Sequence, residues 1–295
     1  MIKLEKGVWL YLFILLIATY IIQIFVITQG GENYEYFQVF IGLSMFFPGI
    51  GAIIYLIKTK KGIKYINWKL GKPLYILYSL LVPSIITLIS IWFFEKIGLG
   101  TNNAFSFSYG KINAIQIPLL LGTDIQSVPF FILNFILSGI GFSLIISLLT
   151  IGEEVGWRGF LQKKLLEQNG VVKSLVFLGL VWGFWHFPLI INGMNYPEYP
   201  IWGAFLLFPL TTVCISFFMG WLTINSNSVW PAVFVHGGIN SIMIVLFEMD
   251  FGEHKFVANF AILGIWAIVG FLSYIWISHK HKISSITRIS NNLLG

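Results

Sequence analysis

Hydrophobic residues in this chain come in long blocks rather than in alternation with polar ones. Crossing a bilayer core takes about 20 mainly apolar residues. Blocks of that kind fall at about 8–28, 37–57, 73–93, 128–152, 174–191, 201–223, 229–247 and 257–278. They predict about eight transmembrane helices, hence an all-α, polytopic membrane protein. No tandem repeat, low-complexity tract or linker interrupts residues 1–295, which therefore read as a single membrane domain.

Composition fits that reading. The chain is 57% hydrophobic and only 10% charged, whereas a soluble domain is about a quarter charged. Its basic residues flank apolar spans without forming a continuous stripe, which argues against nucleic acid as a partner. The net charge of +6 is instead an orientation signal, because Lys and Arg collect on the cytoplasmic side. With the N-terminus inside, only Lys96, Lys111 and Lys255 of the 18 Lys and Arg residues fall outside. Both termini are therefore expected in the cytoplasm and the protein in the plasma membrane. Lys3 and Lys6 ahead of an apolar run mimic a signal peptide, but the run is too long and lacks a small-x-small cleavage site. It reads as an uncleaved first span. The external loop 94–127 carries an apolar patch, Ile115–Leu121, expected to dip toward the interface; the loop 192–200 is turn-rich. The basic stretch Lys58–Lys72 reads as an orientation signal rather than a headgroup site, and Cys214 as a packing residue.

Charged and imidazole side chains are costly inside a bilayer, so the few present point to function. Glu153, Glu154 and Arg158 close the fourth span. On a helix Glu154 and Arg158 are i,i+4 neighbours and can pair. Glu153 points about 100° away and is left for other work. His186 lies in the fifth span within Trp182-Gly-Phe-Trp-His186-Phe-Pro188. Trp182, one turn earlier, can wall the imidazole and a substrate beside it, and Pro188 frees a backbone carbonyl that a neighbour must satisfy. His236 and Asn240 share one face of the seventh span, and Gly237 and Gly238 permit close approach by a helix or a substrate backbone. Gly152/Gly156 and Gly179/Gly183 read as helix-packing pairs. His254, His279 and His281 lie in loops and are given no role.

A cavity among helices 4, 5 and 7 would gather these groups under the inner leaflet. A carboxylate with an imidazole can deprotonate water for attack on a carbonyl. A second imidazole with a carboxamide can stabilise the oxyanion that develops. That is a hydrolase without a covalent intermediate, and no Ser or Cys stands in a nucleophile context. A zinc site built from Glu153, His186 and His236 is the alternative, although the metal-free version, with no cofactor, is preferred. A proton- or ion-coupled transporter also explains in-span acids and histidines. Against it, the polar residues cluster toward one side and the halves of the chain do not repeat.

The three motifs Glu153-Glu154-Val-Gly-Trp-Arg158, Trp182-Gly-Phe-Trp-His186 and His236-Gly-Gly-Ile-Asn240 together resemble those of the CAAX prenyl protease and bacteriocin-processing (CPBP, or Abi) family of intramembrane endopeptidases. The resemblance covers about 130–250, the expected protease core. It departs from the family at Trp182, where Phe is usual. It implies hydrolysis of a peptide bond in a membrane-associated or lipidated protein or peptide at a cytoplasm-facing cavity. By position, Glu153 corresponds to the general base assisted by His186. His236 and Asn240 correspond to the oxyanion donors, and Glu154 with Arg158 to the supporting pair. Family members include enzymes that trim prenylated tails, proteins linked to bacteriocin processing or immunity, and non-catalytic scaffolds that bind a membrane partner; a scaffold or immunity protein is the competing expectation.

Overall fold

The computed structural model describes residues 1–114, 117, 119–122 and 124–293, with Ser108 and residues 278–293 described by backbone alone. The chain is helical almost throughout. It runs through α1 (Lys6–Thr28), α2 (Phe37–Ser44), α3 (Phe47–Lys58), α4 (Pro73–Lys96) and α5 (Val128–Glu154). Next come a π-helical turn (Val155–Leu161), α6 (Gln162–Gln168), α7 (Val171–Trp185), α8 (Phe187–Ile191), α9 (Pro200–Trp202) and a second π turn (Gly203–Leu207). It ends with α10 (Phe208–Ser226), α11 (Trp230–Ile239), α12 (Ile244–Phe247) and α13 (Lys255–Leu293). Prolines open α4, α5, α8, α10 and α11 within their first two positions, where a missing N–H costs nothing.

Seven helical stretches are long and apolar enough to cross a membrane: Lys6–Thr28, Phe37–Lys58, Pro73–Lys96, Val128–Gln168, Pro200–Ser226, Trp230–Phe247 and Gly252–Ile277. The protein is an integral membrane protein of the all-α polytopic class. The expected fifth span, 174–191, is the exception. At 15 residues, α7 rises only about 22 Å, short of a core of about 30 Å. The helix breaks at His186 because Pro188 has no N–H to give the carbonyl of Phe184. Helix α1 supplies the missing donors: Tyr20 OH donates to Phe184 O (2.6 Å) and Gln23 Nε2 to Trp185 O (3.1 Å). Trp185 Nε1 donates in return to Thr19 Oγ1 (2.8 Å).

Two other expectations change. The helix that carries the fourth span does not stop at 152 but continues through the π turn to Gln168. Residues 279 and 281, read as loop, continue α13. The loop 94–127 also holds a small antiparallel sheet, β1 (Phe105–Ser108), β2 (Lys111–Ala114) and β3 (Ile125–Ser127), with Phe105 opposite Ala114 and Lys111 opposite Ser127. Tyr109 and Gly110, both at positive φ, make the two-residue turn that suits such a hairpin. Between β2 and β3 the chain runs against α5. Leu120 N donates to Ser138 Oγ (2.9 Å) and Leu121 N to Asn134 Oδ1 (3.1 Å), three and two turns into α5. Of the expected patch, Ile115, Gln116 and Pro118 lie outside the described residues.

Loops sort to two ends. Lys3, Asn67, Lys163 and Asn169 meet at one: Asn169 Nδ2 donates to Lys3 O (2.8 Å), Lys163 Nζ to Asn67 Oδ1 (3.1 Å), and Val229 N to Asn67 O (3.1 Å). At the other, Thr101 and Asp250 pair backbone to backbone, and Lys255 pairs with Glu198. The basic loop 58–72 thus shares an end with the N-terminus and with the close of α6.

Candidate active site

The helix carrying the acid pair is held by small residues and short polar side chains. A Cβ on Gly156 would run into the backbone of Pro48, and one on Gly152 would lie 2.7 Å from Phe46 Cα. The Gly152/Gly156 pair therefore serves packing against α3, as expected. On its other side α5 grips α11. Ser143 Oγ donates to Phe234 O (2.6 Å), Thr150 Oγ1 to Val233 O (3.0 Å) and Ser147 Oγ to Val233 O (3.3 Å). Gly237 faces the carbonyl of Ser143 and Gly238 faces Pro83, so the close approach they permit is by helices. These contacts present His236 to the acid pair.

Glu154 Oε1 receives two hydrogen bonds, from Arg158 Nη1 (2.8 Å) and from His236 Nδ1 (2.9 Å). Arg158 Nη2 donates onward to Ser216 Oγ on α10 (3.1 Å). The guanidinium carbon lies 4.3 Å from the centroid of Trp182, close enough for a cation–π contact. Glu153 makes no ion pair with Arg158. Its Oε2 accepts from Trp182 Nε1 (3.0 Å) and, at longer range, Trp157 Nε1 (3.4 Å). His236 packs edge-on against Trp182 at 5.3 Å. All four charged or imidazole groups just named are buried, Glu154 fully and His236 at 3% exposure.

His186 is half-buried at the break after α7. Its Nδ1 lies 2.9 Å from Trp182 O. A carbonyl only accepts, so Nδ1 carries the proton and Nε2 of the neutral ring is a bare acceptor. Trp185 and Phe208 hold the ring edge-on at 4.6 and 4.9 Å. No direct hydrogen bond joins His186 to Glu153; Trp182 stands between them. Asn240 follows the last residue of α11 and is exposed, with no side-chain hydrogen bond among the described residues. Trp182 is thus the hub on which Glu153, Arg158, His186 and His236 converge.

The donors of the zinc alternative are not assembled. Among the described residues no group of three or more His, Cys, Asp or Glu side chains is placed to hold a metal ion. A cavity of about 210 Å³ reaches Arg158 from the basic end, lined also by Gln162, Lys163, Leu166, Thr223 and Ile224. Glu153, His186 and His236 do not line it.

Sequence reasoning missed Trp157, Ser216 and the polar face of α5. Trp157 was within reach, because it sits i+4 from Glu153 inside the same motif. Ser216 was not, since one serine in an apolar run is ordinary.

Comparison with known proteins bears on the same stretch. Residues 124–242 match the family of type II CAAX prenyl endopeptidases, Rce1-like. This segment of the chain is similar to Rce1-like endopeptidases. The match contains every motif residue named above, from Glu153 to Asn240, and the resemblance read from those motifs stands. CAAX prenyl protease 2 of Methanococcus maripaludis is 31% identical over 93 residues, 30% of this chain and 34% of that protein. The chain thus aligns with about a third of the length of this curated relative.

Proposed function

We propose that the protein is an intramembrane endopeptidase that hydrolyses a peptide bond in a membrane-associated or lipidated protein or peptide. The observation that carries this is the convergence of Glu153, an arginine and two imidazoles from three helices on one indole, with Glu154 bonded to the arginine and to one imidazole, within the Rce1-like segment. The name of the archaeal relative makes a prenylated protein tail the first substrate to try. The work falls to the core at about 130–250 within a single membrane domain. Both termini and the basic loops face the cytoplasm, by the distribution of Lys and Arg.

In this reading Glu153 takes a proton from water while the water oxygen bonds to the scissile carbonyl carbon. The bare Nε2 of His186 accepts the second water hydrogen and aims the lone pair. The carbonyl electron pair moves onto oxygen and meets donors from His236 Nε2–H and the Asn240 carboxamide. With Nδ1 of His236 donating to Glu154, that second donation needs the doubly protonated ring, which the Glu154 carboxylate neutralises. Collapse restores the carbonyl, breaks the C–N bond and passes the proton held by Glu153 to the leaving amine. No metal enters these steps.

The test is Glu153→Ala and His186→Ala in reconstituted protein with a lipidated peptide. Both lose cleavage; undiminished cleavage in both removes the proposal. One observation favours a second reading, a non-catalytic scaffold or immunity protein: Glu153 and Glu154 are at most 1% exposed. A scaffold keeps its cellular phenotype in Glu153→Gln.

A further inference from the structure

We infer that Trp182 is a positioning residue that commits one oxygen of Glu153 and leaves the other to take the proton from water. The inference rests on the peptidase reading and adds to it a role for the indole N–H. Both indole donors that reach Glu153, from Trp182 at 3.0 Å and Trp157 at 3.4 Å, fall on Oε2. Oε1 has no hydrogen bond among the described residues. A carboxylate held through one oxygen keeps the lone pairs of the other in a fixed direction, which is what a general base requires.

Trp182 does this while its ring face carries the guanidinium of Arg158 at 4.3 Å. Edge and face of one residue therefore serve the two adjacent acids. The edge N–H holds Glu153, and the face steadies the cation that pairs with Glu154 at 2.8 Å. A phenylalanine at this position, usual in the resembling family, would keep the face and lose the donor. The tryptophan is also fixed: it is 4% exposed, and its own carbonyl accepts from His186 Nδ1 at 2.9 Å. The residue read from sequence as a wall for substrate is thus tied to the acid by its one polar atom.

The experiment uses full-length protein in proteoliposomes and an internally quenched farnesylated peptide. Position 182 is changed to Phe and, separately, to 3-benzothienylalanine, which matches Trp in shape and ring face but has sulfur in place of N–H. The expected result for the isostere is a kcat lower by on the order of tenfold to a hundredfold, with KM unchanged and the protein still folded at the assay temperature. Should Trp182→Phe fold poorly, the isostere still decides. An unchanged kcat in the isostere overturns the inference. So does a raised KM at constant kcat, which would mark Trp182 as a substrate wall. Glu153→Gln separates the two levels. If it is inactive while the isostere is fully active, only the Trp182 role fails. If it cleaves like the unaltered protein, the peptidase reading fails with it.

Discussion

Arg158→Met isolates the cost of leaving the acid pair without its cation. Arg158 Nη1 and Glu154 Oε1 are 2.8 Å apart, and both side chains have zero exposure. Removing one partner of a buried ion pair costs about 3–5 kcal/mol, because the other charge stays buried without it. His236 still donates to the same oxygen, which places the expected loss near the lower bound, about 3 kcal/mol. Glu154 Oε2 has no partner to take up the slack. Adding Glu154→Gln removes the carboxylate itself, and His236, its remaining partner, can then give up its second proton instead of staying charged. The double variant then loses only the bond to Ser216 and the contact with the Trp182 ring, about 1–2 kcal/mol in all. Equilibrium unfolding of the four proteins in mixed detergent micelles reads this as a double-mutant cycle. The double variant is expected to be more stable than Arg158→Met alone. If Glu154→Gln fails to recover stability, Glu154 is not held as an ion by Arg158, and the charge account of the site is wrong.

Three further outcomes follow from the geometry. Tyr20→Phe should cost about 0.6–1.5 kcal/mol by taking the side-chain donor from Phe184 O, and much less in a Pro188→Ala background, where residue 188 regains an N–H for that carbonyl; equal costs in both backgrounds contradict the account of the helix break. Glu5 is held below its ordinary value of 4.5 by hydrogen bonds from Lys164 first and Tyr55 second, so its clasp on α6 stabilises the fold above that pH and is lost as pH falls below it. Glu5→Gln should flatten that part of the stability–pH curve, and an unchanged curve would count against the clasp. Asn240→Ala, at an exposed helix end, should shift stability by less than about 0.5 kcal/mol yet lower kcat about a hundredfold, the share one oxyanion donor carries; unchanged turnover removes Asn240 from the mechanism.

The spans were legible because hydrocarbon thickness sets their length, and a block of about 20 apolar residues matches that thickness when helical. The break at His186 was half legible: Pro188 announced a freed carbonyl, but nothing in the sequence says that Tyr20, far earlier in the chain, would satisfy it. The Glu154–Arg158 pair followed from helical spacing. The bond from His236 to Glu154 did not, because i,i+4 logic stops at the end of a helix. The pairing of Glu153 with indoles rather than with His186 depends on how α5 and α7 rotate against each other. The setting of α7 is fixed in turn by packing of Gly179 on Val213 and Gly183 on Thr212 and Pro209. The hairpin in 105–114 was hidden in a long loop, although Gly110 after the alternating Phe105-Ser-Phe-Ser108 is a turn signal in hindsight.

The central claim is that Glu153 activates water for peptide hydrolysis without a metal. Its most direct measurement is cleavage of a lipid-anchored quenched peptide in proteoliposomes, with a chelator present throughout, by the unaltered protein and by Glu153→Gln at equal folded fraction. The account predicts cleavage that survives the chelator and disappears in the variant. Cleavage that persists in Glu153→Gln, or that the chelator abolishes in the unaltered protein, contradicts it.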